Sequence, residues 1–368
     1  MKKKYPVDYG ILLTVLILVS IGVIMVFSAS SASAEYMYND PYYFLKRQLL
    51  WVILGFFAMV FMMNFDYTIL KKLAGPLLII SIGLLIAVLI PGIGVERYNA
   101  TRWIGVGSFT IQPSEVAKYA LIIYLAKYFD KHPDYAKSFK KGVMPVLGLA
   151  GLFFGLIMLQ PNFSTAGIIF IVAVIILFVA GAKLSFMGAL FGAGIGAAVV
   201  VFSSFEYIRE RVFTFLNPWQ DIQKSGYQIV QSLYALGSGG LFGVGLGGSR
   251  QKLMYLPMPH NDFIFSIIGE ELGLVGTVTI LLMFLYLILR GLRVAAKAPD
   301  MFGCLLATGI TSLIGVQTLI NVAVATSSMP PTGVSLPFIS YGGTSTVIMM
   351  AGVGILLNIS RYANLDRS

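Results

Sequence analysis

Apolar residues in this chain come in continuous blocks of about 15–25 positions, without the alternation that marks strands. Blocks of that length predict membrane-spanning helices rather than a β-barrel. Ten spans are read, at roughly 11–33, 48–64, 75–92, 115–129, 143–160, 165–182, 186–204, 263–289, 303–326 and 343–360. The fourth is short and polar at its start. If the chain alternates, four longer connections, 34–47, 91–114, 205–262 and 327–342, fall on one side of the membrane. The stretch 205–262, between the seventh and eighth helices, is the only one of more than roughly fifty residues without a membrane-length apolar run. The rest of the chain therefore reads as a scaffold that positions this loop.

Composition sharpens the picture. The 368 residues are 57% hydrophobic and 11% charged, with mean hydropathy +0.84, against about 25% charge in soluble domains. A water-soluble fold is excluded. The expectation is an all-α polytopic membrane protein, one transmembrane domain over residues 1–368 carrying the extracytoplasmic loop 205–262. The single cysteine, Cys304, lies in an apolar run, so no intrachain disulfide forms. Lys2-Lys3-Lys4 precedes an apolar run too long for a typical signal peptide, with no convincing cleavage site.

A net charge of +10 can indicate nucleic-acid binding, but its distribution argues against that. With the amino terminus in the cytoplasm, 16 of the 26 Lys and Arg residues fall on the cytoplasmic side, and Lys/Arg excess decides orientation. Both termini are then cytoplasmic. The basic charge reads as topology and as contact with anionic membrane lipids.

The outer segments hold the candidate chemistry. The tyrosine-rich stretch Glu35–Tyr43 is either an interfacial aromatic belt or a sugar contact. In the second segment, Pro113-Ser114-Glu115 is a helix start with an acid in its first turn. Glu115 and Lys118 share one face of that helix. They form a structural ion pair, or Lys118 and Arg102 hold an anionic substrate while Glu115 holds the Lys118 ammonium. Turn chemistry explains Gln160–Thr165. In the large loop, the stretch 205–215 reads as an interfacial amphipathic segment and 226–236 as apolar at helical spacing. Gly237–Gly248 contains seven glycines. No Gly-Lys-Ser/Thr follows, so this is not a nucleotide-phosphate loop but a site of close backbone packing or a mobile re-entrant loop. Arg250, Lys252, His260 and Asp262 then crowd the approach to the eighth helix. Asp262 either caps that helix or acts chemically. Glu270 and Glu271 lie two turns deeper, where carboxylates are costly unless paired or hydrated. Proline and glycine break the helix over 330–345, so this segment, with Ser340 and Tyr341, reads as a wall of the same cavity.

Taken together, several stretches resemble the SEDS family (shape, elongation, division and sporulation) of bacterial cell-wall proteins. They are Thr101-Arg102-Trp103-Ile104, Gln112 to Lys118, Gln160-Pro161, Asp262-Phe263-Ile264-Phe265, Glu270-Glu271-Leu272-Gly273 and Leu336 to Gly343. They occur in family order over nearly the whole chain and look closer to the division and sporulation branch (FtsW/SpoVE) than to the elongation branch (RodA). Two positions depart from the pattern: Asn162 stands where an Asp is common, and Met258 where a Glu is common.

The resemblance implies a peptidoglycan glycosyltransferase of the bacterial cytoplasmic membrane that polymerises lipid II with inversion at the donor sugar. Asp262 would be the general base, ionised at neutral pH with an ordinary pKa of about 3.9. Arg102 and Lys118 would stabilise the diphosphate leaving group, with Glu115, His260, Arg250, Lys252, Ser340 and Tyr341 as further substrate contacts. A divalent cation, Mg or Mn, is the one cofactor this chemistry admits, although no ligand cluster of recognisable spacing is present. The implied protein partner is a class B penicillin-binding protein, a transpeptidase. A lipid II flippase or a non-catalytic scaffold are the rival readings. The gathering of polar residues toward the outer face favours the enzyme over a transporter, whose charged sites lie near the midplane.

Overall fold

Most of the predicted spans appear as helices, and side-chain caps from Asp8, Asp66, Asn162 and Asp300 start four of them. The computed structural model describes residues 5–97, 100–106, 109–204, 206–222 and 226–363. Lys2–Lys4 and Arg367, used above for topology, lie outside the described residues, as do Tyr98, Asn99, Gly107, Ser108 and Phe205. Helix α1 (Tyr9–Tyr38) starts at Asp8, whose carboxylate accepts from the Ile11 amide at 3.1 Å. It is followed by α2 (Tyr43–Asn64) and α3 (Tyr67–Ala87). Helix α4 (Pro113–Lys131) has Pro113 in its first turn and Glu115 near its positive end, as the sequence predicts. Helices α5 (Met144–Met158), α6 (Phe163–Val179) and α7 (Leu184–Ser204) complete the first half. The second half contains α10 (Ile264–Ala296), α11 (Met301–Ala325) and α12 (Gly343–Ser360).

Among the described residues, seven helices are long and apolar enough to cross a membrane, and two shorter apolar ones occupy 163–179 and 184–196. Helix α4 is charged at both ends, with Glu115 and Lys118 at its start and Lys127, Asp130 and Lys131 at its finish, which leaves only a short apolar middle. Burial sorts core from periphery. In the most apolar 18 residues, 72% of α11 and 67% of α12 are buried, against 17% of α2. Thus α11 and α12 form the centre, and α2 shows most of its surface to lipid.

One segment corrects the expectations and a second bears them out. Residues 94–111 are not irregular loop but a three-stranded antiparallel sheet, β1 (Gly94–Arg97), β2 (Ala100–Val106) and β3 (Phe109–Ile111), in that order. Ile104 pairs with Gly94 on one side and with Ile111 on the other. Strands of three to seven residues fall below any membrane-length hydropathy window, so an all-α reading passes over them. The stretch 205–262 is structured as the sequence suggests. It contains α8 (Glu206–Leu216) and α9 (Tyr227–Gly239), at the two places read as amphipathic and helical.

The glycine-rich segment has a specific partner. Helix α10 is broken at Gly273, where φ is 67° and ψ is −165°. The opened backbone is met by the glycine segment. The Val244 and Gly245 amides donate to the Glu270 and Glu271 carbonyls, while those of Leu274 and Val275 donate to the Gly240 and Leu241 carbonyls. A Cβ on Gly243 would sit 2.1 Å from the Glu271 carbonyl oxygen, and one on Gly239 only 1.9 Å from that of Gly269. Close backbone approach, one of the two readings of these glycines, is what the structure shows. Main-chain groups released inside an apolar helix must find such partners.

The helix ends opposite the sheet are tied by polar contacts. Arg290 pairs with Asp8 at 2.9 Å, the Tyr67 hydroxyl donates to Asp300 at 2.7 Å, and Asp130 accepts from the Phe302 amide while pairing with Lys71. Asn358 bridges the Met63 carbonyl and the Tyr67 amide. These clamps fix the bundle at one end and leave the other end to form a cavity.

Candidate active site

At the sheet-bearing end the helix termini surround a cavity of about 270 Å³. Its wall gathers residues distant in sequence: Arg47 and Trp51 from α2, Arg102 from β2, Glu115 from α4, Asp262 from the turn before α10, and Gln317 from α11. Tyr341 and the residues around Gly333 close it from the 330–345 segment. All four longer connections read from the sequence thus meet at one end of the bundle.

Asp262 occupies this wall without being used as a helix cap. The residue at the cap position of α10 is Phe263, and no side chain caps that end. The carboxylate lies beside Gly333, where φ is +70° and an added Cβ would sit 3.5 Å from Oδ2. Its backbone is fixed from below. Asn321, 1% exposed on α11, donates both to the Asp262 carbonyl at 2.8 Å and to the Val334 carbonyl at 2.7 Å. One amide therefore joins the Asp262 turn to the proline-rich segment.

Burial pushes the Asp262 carboxyl up to about 6, a rise that the nearby Arg102 guanidinium opposes. The ordinary acidity expected from the sequence is corrected accordingly. Burial in turn draws Arg102 below the usual arginine range, and Asp262 counters that. The guanidinium is held by main chain: its Nε donates to the Gln160 carbonyl at 3.1 Å and its Nη2 to that of Pro161. The 160–165 turn is itself built by Asn162, whose side chain accepts from the Thr165 amide at the start of α6. Here Asn162, in place of an acid, serves the turn geometry.

Glu115 and Lys118 are paired at 2.8 Å and both buried. Only Glu115 reaches the cavity wall. Lys118 lies beneath it among Leu121, Ile122, Ile169 and Leu313. Four other predicted contacts also lie off the wall. Lys252 donates to Glu271 at 2.9 Å and to the Ser28 hydroxyl at 3.1 Å. Arg250 gives its backbone amide to Glu270 at 2.8 Å. His260 is buried against the Phe44 ring at 4.3 Å, and that burial pulls its imidazole down to about 4, so it is neutral. Ser340 accepts from the Leu336 amide at 2.8 Å and closes a turn. Lys252, His260 and Ser340 are buried and packed into the joints between segments, whereas Arg250 is exposed and contributes only its backbone amide. Tyr341, by contrast, lines the cavity, its amide donating to the His260 carbonyl at 2.9 Å.

Sequence reasoning passed over Arg47, Trp51, Gln317 and Asn321. A signal existed: Gln317 and Asn321 stand one turn apart in an apolar span, and so do Arg47 and Trp51 at the start of another. Among the described residues, no group of three His, Cys, Asp or Glu side chains converges to hold a metal. Within the cavity, the carboxylates of Asp262 and Glu115 are the donors for a divalent ion among the described residues.

Comparison with known proteins matches this architecture. The family model FtsW/RodA/SpoVE, described as cell cycle protein, matches residues 9–365. Stage V sporulation protein E of Bacillus subtilis is 46% identical over 361 residues, 98% of this chain and 99% of that one. The probable peptidoglycan glycosyltransferase FtsW of a Geobacter species is 43% identical over 364 residues, 98% of each chain. A solved chain from "Structural coordination of polymerization and crosslinking by a peptidoglycan synthase complex" gives a TM-score of 0.82 at 29% identity, covering 98% of this chain and 99% of that one. The Thermus thermophilus rod shape determining protein RodA gives 0.70 at 27% identity, covering 97% and 98%. With the family match spanning residues 9–365 and relatives alike over nearly their full length, the chain belongs to the FtsW/RodA/SpoVE family, the SEDS proteins.

Proposed function

We propose that this protein is a peptidoglycan glycosyltransferase that polymerises lipid II, with the cavity on the extracytoplasmic side of the bacterial cytoplasmic membrane. The observation that carries the reading is Asp262, uncapped and on the cavity wall within the field of Arg102. The names of the FtsW relatives support the reaction class, and the Lys/Arg distribution supports the orientation.

The chemistry follows from the groups present. The donor sugar is α-linked to a diphosphate and the product glycan is β-1,4-linked, so the anomeric centre inverts in one displacement. The acceptor 4-hydroxyl oxygen forms a bond to the donor anomeric carbon as the bond to the diphosphate oxygen breaks. Asp262 takes the hydroxyl proton, general-base help worth roughly 10²–10⁴-fold. Undecaprenyl diphosphate leaves as an anion and needs positive charge rather than a proton. Arg102, oriented by two main-chain carbonyls, supplies it without reorganising. Asp262 or Glu115 would hold a Mg or Mn ion, which would supply further positive charge for the leaving diphosphate. Similarity to a chain of a peptidoglycan synthase complex supports a class B penicillin-binding transpeptidase as the partner.

The test is polymerisation of purified lipid II by wild type and Asp262→Asn, with and without the partner and divalent cations. Wild type is expected to make glycan chains and the variant none, while both stay folded. Full activity in the variant would refute the assignment of the base.

A further inference from the structure

Among the described residues, three side chains on the cavity wall keep a buried oxygen without a hydrogen-bond partner: Glu115 Oε2, Asn261 Oδ1 and Gln317 Oε1. All three are acceptors, so the cavity suits a molecule that brings N–H or O–H donors. Glu115 gives its other oxygen to Lys118 at 2.8 Å, and Asn261 turns its amide nitrogen to the Met258 sulfur at 3.8 Å. Gln317 stands on the central helix α11 and is only 4% exposed. A buried amide oxygen left unpaired is costly, and an apolar side chain at this position would avoid that cost. The amide is therefore accounted for by a group that enters the cavity.

Its neighbour on the same helix shows what an amide used by the fold does. Asn321 donates to the carbonyls of Asp262 and Val334 and so carries the turn of the proposed base. Residues four apart share a helix face and lie about 6 Å apart along the axis. Gln317 thus reaches the cavity one turn beneath the anchor of Asp262.

We propose that Gln317 is a specificity residue for amino sugars, its Oε1 accepting the N–H of the acetamido group on a sugar that reacts at Asp262. This rests on the transferase reading above and deepens it. Both sugars of lipid II carry an acetamido group at C2. On the donor it neighbours the anomeric carbon; on the acceptor it lies across the ring from the attacking 4-hydroxyl. A hydroxyl hydrogen rotates to suit its surroundings, whereas the planar acetamido holds its N–H in one direction. A buried acceptor set to meet that N–H rejects a sugar without it, because the acceptor is then left unpaired.

The test uses the purified full chain with lipid II and two analogues. In each analogue an O-acetyl ester replaces one acetamido group, either on the sugar with the free 4-hydroxyl or on the sugar bearing the diphosphate. The ester keeps the size and the carbonyl and removes only the N–H. Wild type is expected to use one analogue about tenfold or more less well in kcat/KM, and which one it is tells whether the acceptor or the donor sugar is read. Gln317→Met, of similar length but apolar, should lose about tenfold on lipid II and use lipid II and that analogue alike. Gln317→Asn draws the amide back by one methylene, so the preference should shrink, and it decides the matter if Gln317→Met does not fold. A preference kept in full by Gln317→Met, or by Gln317→Asn where that variant decides, overturns the proposal, since the amide then acts on the fold alone. Equal use of lipid II and both analogues by wild type overturns it as well. Retention of lipid II and its analogues, read by native mass spectrometry, repeats the comparison without turnover. Wild type that retains lipid II yet makes no glycan sinks the transferase reading, and the retention ratios still decide the role of Gln317.

Discussion

With Asp262 as the proposed base, its acidity sets where activity should be lost as the pH falls. A base must be ionised to accept the acceptor proton. With its carboxyl pushed from 3.8 up to about 6, the ionised fraction is about 90% at pH 7, about half at pH 6 and about a tenth at pH 5. An unshifted carboxyl would keep more than about 90% of its charge at pH 5. The acid limb of kcat/KM, measured by initial rates of lipid II polymerisation between pH 5 and 8, should therefore centre near pH 6. Arg102 holds the value down, because its positive charge favours the carboxylate. Arg102→Gln removes that charge while keeping an amide for the Gln160 and Pro161 carbonyls, and should move the limb to higher pH. Arg102→Lys should move it less. The shift also bears on folding. The folded-state value lies above the unfolded one, so ionised Asp262 opposes folding at neutral pH, and this opposition fades as the pH drops from about 6 toward 3.8. Asp262→Asn should accordingly melt no lower than wild type at pH 7.5. A limb centred below pH 5, or a downward move in Arg102→Gln, would refute the reasoning.

Other outcomes follow from buried contacts. Asn321→Leu leaves the Asp262 and Val334 carbonyls without their shared donor, about 1–3 kcal/mol for each buried group, and should lower both the melting temperature and kcat, whereas a surface-like loss of under ~0.5 kcal/mol would show the bridge to be dispensable. Lys252→Met strands the Glu271 carboxylate and should destabilise by about 3–5 kcal/mol in a chemical-denaturation series; adding Glu271→Gln should recover part of the loss, and strict additivity would disprove the coupling. Gly273→Ala forces a Cβ to within 2.4 Å of the Gly243 amide nitrogen at positive φ, so little folded protein should be recovered by size-exclusion chromatography.

Much of the architecture was legible because membranes impose it. A helix must hide its own backbone and present apolar side chains for the full bilayer thickness, and this writes long unbroken runs into the sequence. The start of α4 at Pro113, the helices of the 205–262 stretch and the tight packing of its glycines were legible for similarly local reasons. Asp262, Arg102, Glu115 and Tyr341 reach the cavity wall from segments that the pattern had already set on one face. The strands at 94–111 were not legible, since their pairing depends on partners in space. Arg47 was hidden among span-flanking charges, and Lys118 and Lys252 looked available because a sequence shows a charge but not its counter-charge.

The sequence by itself determined that this chain is a helical membrane bundle, which segments share a face, and which family it joins. Those properties follow from hydrophobic run length, helix-end chemistry and motif order, all local or linear. Tertiary structure alone decided which polar side chains face the cavity and which are consumed in holding it together. Glu271 neutralises Lys252, Glu115 holds Lys118 beneath the wall, and Asn321 carries the turn of Asp262, while Arg47, Arg102, Glu115 and Asp262 line the cavity. The physical reason is that a buried polar group must be paired, and the pairing partner is chosen by packing between helices distant in the chain.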